Sequence, residues 1–225
     1  KITIDKDNPI YKVDDGKVAV KSDTAVIYVS PDEFMRSSSV WNSPEGPDVH
    51  NVIVIDKDVD LSNHDNIKDV TVISNRCRPE VSFENCRNLE SFTVDGSAEI
   101  KDRAFKNCTA LKNVLMDNAD IPYMGKEAFK DCTALENVSM KNASIEVMEG
   151  SVFENCRSIE SIDIPGTKNI GNAAFANCIK LKTAVIGNGC EAIDGKAFMN
   201  CENLEKAVLP ETLREIYPAA FSDCR

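Results

Sequence analysis

"AFKNCTALKNVLM", residues 104–116, returns as "AFKDCTALENVSM" at 128–140, twenty-four residues later. The recurrence extends well beyond this pair. Phe83, Phe105, Phe129, Phe153, Phe175, Phe198 and Phe221 follow one another at intervals of 22, 24, 24, 22, 23 and 23 residues. Three residues after each Phe stands a cysteine: Cys86, Cys108, Cys132, Cys156, Cys178, Cys201 and Cys224. Asn or Asp precedes each one: Asn85, Asn107, Asp131, Asn155, Asn177, Asn200 and Asp223. Three residues beyond the first six cysteines come Leu89, Leu111, Leu135, Ile159, Leu181 and Leu204. A fixed period of this length marks a repeat architecture.

The tail of each copy alternates, as in Leu111-x-x-Val114-x-Met116 and Ile159-x-x-Ile162-x-Ile164. Alternation at period two predicts a half-buried strand. The stretch before it, such as Ala104, Phe105, Cys108 and Leu111, has spacing near three and four. That predicts one short helical or 3₁₀ turn with its apolar side inward. Leu61, His64, Ile67, Val70 and Val72 fill the same slots in an earlier copy, and "NVIVI" (51–55) is the strand of one before that. The array therefore runs from residue 49 to the end.

A unit of this size cannot close its own core and buries its apolar edge only against its neighbours. Stacked parallel strands lie about 4.8 Å apart, so each periodic cysteine should lie over the next. Free cysteine behaves as a small hydrophobe. The expectation is a dry packing spine of unbridged thiols, flanked by Asn or Asp that favour turns. Stacked copies approach bridging distance, but their side chains run parallel, which disfavours disulfides. Cys77 and Cys190 lie outside the periodic slot and are the candidates for reactive thiols; ordinary loop cysteines are the plainer reading.

No Cys-x-x-Cys occurs, and the only histidines are His50 and His64, so no zinc-type cluster is expected. His64 reads as a hydrogen-bonded structural residue in a core slot. Gly187-Asn188-Gly189 lacks the spacing of a phosphate-binding loop and reads as a turn. Asn107-Cys-Thr, Asn137-Val-Ser and Asn142-Ala-Ser match glycosylation acceptors by chance. No cofactor is implied. The net charge of −11 disfavours binding to nucleic acid, and no apolar run is long enough to span a bilayer.

The first forty-eight residues differ. "ITI" (2–4) reads as a strand. Asp15-Gly16 sits between β-rich runs as a hairpin signal. Tyr11 to Val13, Val18 to Val20 and Ala25 to Val29 are expected to form a small antiparallel meander. "SSSVWNSPEGPD" (37–48) reads as a Pro-containing loop, with Trp41 as its anchor or as a contact residue.

The unit Ala-Phe-x-[Asn/Asp]-Cys-x-x-Leu-x-x-Val-x-Leu resembles the BspA-like (Treponema pallidum type) leucine-rich repeats. Ile100, Ile170, Ile193 and Ile216, four before the Ala, also fit, with Met124 and Met148 standing in. The N-terminal stretch looks like the hairpin insert of that family. The resemblance implies an α/β right-handed solenoid. Its parallel β-sheet would line the concave face, with short helical turns opposite. It implies two parts, 1–48 as strand, hairpin insert and loop, and 49–225 as repeats of about 23 residues. It also implies a surface-displayed or secreted protein of a host-associated microbe, engaged in adhesion to host or matrix proteins such as fibronectin.

The residues between core positions of each strand should line the concave face. Those expected to meet a protein partner are Lys112, Leu115, Glu136, Ser139, Glu160, Asp163, Lys182, Val185, Glu205 and Val208. The middle column turns apolar at Val185 and Val208, which would seed a contact. Glu90, Glu136 and Glu160 share a column, but separate strands and Lys112 disfavour paired acid catalysis. The expected role is non-catalytic protein binding; the alternative is a spacer solenoid without a ligand of its own. The last turn should pack on the copy before it with its edge open, which would allow end-to-end self-association.

Overall fold

The computed structural model describes residues 50–55, 58–74 and 77–224, and the backbone of 11–14, 17–20, 24–29 and 38–41. The chain winds into a parallel β-solenoid in which each copy is one coil. Two strand ladders run its length. On the first lie β5 (Asn51–Ile55), β7 (Asp69–Ser74), β9 (Ser91–Gly96), β11 (Asn113–Leu115) and β13 (Asn137–Ser139). The same face continues with β15 (Ser161–Ile164), β17 (Thr183–Ile186) and β19 (Lys206–Val208). These are the alternating tails of the copies. Neighbours pair in parallel with equivalent residues opposite, as in Val114 with Phe92 and with Val138.

The second ladder is an eight-stranded parallel sheet of shorter strands. It comprises β6 (Val59–Asp60), β8 (Glu80–Ser82), β10 (Glu99–Ile100), β12 (Asp120–Met124) and β14 (Ser144–Met148), then β16 (Asn169–Ile170), β18 (Ala192–Ile193) and β20 (Glu215–Ile216). It carries the Ile or Met found four residues before each Ala-Phe.

No described residue is helical, which corrects the expected α/β class with helical turns opposite the sheet. The reason lies in left-handed corner positions, one at Asn63 and at Asn85 and two in each later copy. Asn107 has φ 62° and Arg103 has φ 60°; Asp131 and Glu127, Asn155 and Ser151, and Asn200 and Lys196 repeat the pair. A right-handed helix cannot pass through such residues, and Asn and Asp tolerate them best. The corner divides its hydrogen bonds accordingly. Ala104, Lys106 and Cys108 amides close turns onto Lys101, Arg103 and Phe105 carbonyls. Arg103, Phe105 and Asn107 amides instead reach the next coil, at Lys126, Ala128 and Lys130 carbonyls, over 2.8, 2.7 and 3.0 Å. Alternate residues thus point along the solenoid axis, which a helix forbids.

The Phe side chains form a continuous stack, with ring centroids 4.9–5.6 Å apart from Phe83 to Phe221. Beside it runs the cysteine spine, buried from Cys86 to Cys201 and half-buried at Cys224. None of the nine cysteines is in a disulfide. Each periodic thiol does more than fill space. The Cys132 Sγ–H donates to the Phe105 carbonyl of the preceding coil over 3.1 Å, and the bond recurs from Cys108, Cys156, Cys178, Cys201 and Cys224. That carbonyl also accepts the Cys108 amide of its own coil at 3.2 Å, so it serves two donors. Outside, the turn asparagines bond between coils, Asn107 Nδ2 donating to Asn85 Oδ1 over 2.9 Å and Asn200 to Asn177 over 2.8 Å. Among the described residues no buried side-chain N or O atom lacks a partner. The final coil stacks on its predecessor through Phe221 against Phe198 and through Cys224.

At the N-terminus, β1 (Tyr11–Asp14) and β2 (Lys17–Val20) form the expected antiparallel hairpin. The third strand of the expected meander does not join them. β3 (Thr24–Val29) pairs in parallel with β5 and prolongs the first face of the solenoid. The segment read as a loop holds a further strand, β4 (Ser38–Trp41), antiparallel to β3. Its Ser-rich composition hid it, while Val40-Trp41 supplied the β-forming residues. The stretches 2–4 and 42–48 lie outside the described residues.

Candidate functional site

The first face presents three parallel columns of outward side chains, one residue per coil. Its outer row is charged: Glu90, Lys112, Glu136, Glu160, Lys182 and Glu205. Lys112 Nζ lies 3.4 Å from Glu90 and Lys182 Nζ 2.9 Å from Glu160. The Glu160 carboxyl is held below its usual range by the Lys182 hydrogen bond, and the Lys182 ammonium is held above its own by Glu160. These exposed pairs neutralise one another and contribute little to stability.

The second column runs Ser91, Asn113, Asn137, Ser161, Thr183 and Lys206. Asn137 Nδ2 donates to Asn113 Oδ1 over 2.9 Å. This occupies the amide of one matched glycosylation sequence. Asn107 and Asn142 likewise spend theirs on Asn85 and Asn118.

The third column runs Thr71, Thr93, Leu115 and Ser139, then Asp163, Val185 and Val208. Leu115 is 42% exposed and Val208 38%. Val185 and Val208 stand directly opposite each other in register, while Ser139 and Asp163 separate them from Leu115. Ser139 donates to Asp117 over 2.5 Å, which holds that carboxyl below its usual range. All ten predicted contact residues thus lie on one face. Among the ten, Val185 and Val208 are the apolar residues on neighbouring strands in register, and Lys182 and Glu160 are joined by an ion pair.

The thiols behave as the spine requires. Burial raises every periodic cysteine, Cys86 to about 11 and Cys201 to about 12. A thiol so raised is a poor nucleophile. Cys190 is fully buried and its Sγ–H faces the Ala192 carbonyl at 3.4 Å, so it is a core residue and not a reactive loop thiol. Cys77 is exposed. His64 is half-buried, with Nδ1 3.0 Å from the Leu61 and Ser62 carbonyls; His50 Nδ1 lies 3.0 Å from the Asn66 carbonyl. Each ring is tied to backbone at its own place.

Three features escaped the sequence reading. On the second face a cavity of about 460 Å³ opens beside Val147, Lys168 and Asn172. Nearby, Tyr123 donates to Asp102 over 3.0 Å, and burial pushes its phenol up to about 12. On the first face a smaller cavity of about 300 Å³ lies between Glu136 and Glu160.

A two-ladder solenoid built on this Phe-x-x-Cys-x-x-Leu coil defines a leucine-rich repeat protein. The family model of the BspA-type leucine-rich repeat region matches at residues 73–191 and 99–225, with six copies, and the chain belongs to that family. No curated protein matches at significant similarity. Among solved structures, a leucine rich cell surface protein of Faecalibacterium prausnitzii aligns over the whole of this chain at 18% identity and a TM-score of 0.51. This chain spans 53% of that one. A leucine-rich repeat protein of Eubacterium ventriosum aligns at 12% identity and TM-score 0.35, covering 79% of this chain and 77% of its own. One of Bacteroides ovatus aligns at 16% and 0.27, covering 99% of this chain and 92% of its own. The first of these likenesses shows the fold alone.

Proposed function

We propose that this is a non-catalytic protein-binding module, displayed at a cell surface or secreted, whose first face takes a protein partner, with host or matrix proteins as the class. The observation that carries the reading is the Val185–Val208 pair. It joins two apolar residues on neighbouring strands, whereas Leu115 in the same column stands between Thr93 and Ser139, and it lies beside Lys182, which Glu160 neutralises. The charges around it set orientation and exclude wrong partners more than they add affinity. An extracellular setting is supported by the family and by the leucine rich cell surface protein whose fold this chain shares. The raised, buried thiols would survive oxidising conditions unbridged. Residues from 49 onward carry the binding coils in this reading, and the N-terminal strands prolong their sheet.

The test is a binding screen of the chain against immobilised matrix proteins, fibronectin included, with Val185→Asp and Val208→Asp alongside. Binding lost in both variants supports the interface. Equal binding by both variants and wild type removes it. No binding to any partner returns the spacer reading.

A further inference from the structure

We infer that the step between β13 and β15 is a joint at which the solenoid opens along its first face while staying pinned at the corner. At six steps along this face a carbonyl accepts two amides from the next coil. Glu90 O takes Lys112 N and Asn113 N at 2.9 and 3.2 Å, and Glu160 O takes Lys182 N and Thr183 N at 2.8 and 3.4 Å. The equivalent bonds from Glu160 N and Ser161 N to Glu136 O are not made. The ladder divides at that place into a seven-stranded sheet ending at β13 and a three-stranded sheet beginning at β15. Val138 beneath it is half-buried, whereas Phe92, Val114 and Ala184 in the same slot are fully buried. The 300 Å³ cavity sits in the gap.

The opposite side is intact. Phe129 and Phe153 stack at 5.2 Å, Cys156 Sγ reaches Phe129 O at 3.1 Å, and Phe129 and Asp131 amides bond Val152 and Glu154 carbonyls at 2.8 and 2.9 Å. β14 still pairs with β16 through Met148 and Ile170. A step fastened on one side and unbonded on the other bends about the fastened side.

The Leu slot does not by itself make the gap. It holds Ile159 here and Ile67 in the earlier copy, and both turns are stretched, Ile159 N lying 3.5 Å from Cys156 O and Ile67 N 3.4 Å from His64 O, against 3.0–3.1 Å in the Leu copies. After Ile67, however, the Lys68 and Asp69 amides still reach His50 O at 2.7 and 3.1 Å, so the missing bonds are particular to the β13–β15 step.

Residue-resolved hydrogen exchange on the whole chain tests this. Glu160 and Ser161 amides should exchange at least about tenfold faster than Lys112, Asn113, Lys182 and Thr183, while Phe129 and Asp131 stay protected. Residual dipolar couplings should require separate alignment tensors for 50–140 and 159–224. Equal protection of Ser161 and Thr183 in the wild type would overturn the joint, as would a single tensor there or fast exchange at Phe129.

Discussion

Replacing Phe129 by alanine measures what the ring stack contributes. Phe129 is fully buried and lies between Phe105, at 4.9 Å and 4°, and Phe153, at 5.2 Å and 5°. Truncating a buried Phe costs about 3–5 kcal/mol through lost transfer energy and the cavity left behind. Each aromatic contact adds about 0.5–1.5 kcal/mol beyond area burial, and Phe129 has two stacked neighbours, which places the loss near the top of that range, about 5 kcal/mol. Phe221 offers the internal comparison. It is half-buried and stacks on Phe198 alone, at 5.1 Å, so Phe221→Ala should cost about 1–2 kcal/mol. Urea unfolding followed by circular dichroism gives both values, and an unchanged slope establishes that the same surface is exposed on unfolding. Phe129→Leu keeps most of the apolar volume and isolates the stacking share. If Phe129→Ala costs no more than Phe221→Ala, nearest-neighbour stacking does not hold the coils together.

Three further outcomes follow from the same geometry. Maleimide should modify Cys77 rapidly in the native chain and Cys224 more slowly; the other seven thiols should react only on unfolding, and rapid native labelling of Cys132 would contradict the buried spine. The Lys106 hydrogen bond, at 2.6 Å, holds the half-buried Glu127 carboxyl below its usual 4.5. Its stabilisation is fully present above that value and is lost as pH falls through the lowered folded value. Glu127→Gln should therefore flatten the acid limb of a stability–pH curve, and an unchanged limb would count against the pairing. Asn107→Val forces a β-branched residue to φ 62° and removes the Asn85 bond; it should destabilise by at least about 1–2 kcal/mol, and Asn107→Gly by less, in the same urea assay.

The period, the strand tails and the burial of the cysteines were legible because they depend on spacing, and stacked coils convert spacing directly into contact. The second ladder was half-visible in Ile100, Ile170, Ile193 and Ile216. Strands of two residues, however, carry too few positions to show alternation. The corner misled for a physical reason. Ala104, Phe105, Cys108 and Leu111 point inward at spacings of three and four whether the backbone is helical or kinked through left-handed residues. The clue was the Asn or Asp before each cysteine, which marks positive φ as readily as a turn. The thiol-to-carbonyl bonds cross 25–27 residues and have no local signature. The ten face residues were placed by alternation, while the cavities depend on how neighbouring coils sit, as between β13 and β15.

The two-donor carbonyl of each Phe has a consequence for the size of the molecule. From Phe83 onward every coil is fastened to the one before and the one after by the same thiol and ring contacts at the corner. Inserting or deleting a whole copy therefore leaves all other interfaces unchanged and alters the span by about 4.8 Å. Length is the quantity this sequence can vary most cheaply, and the scaffold works as a ruler graduated in cysteines.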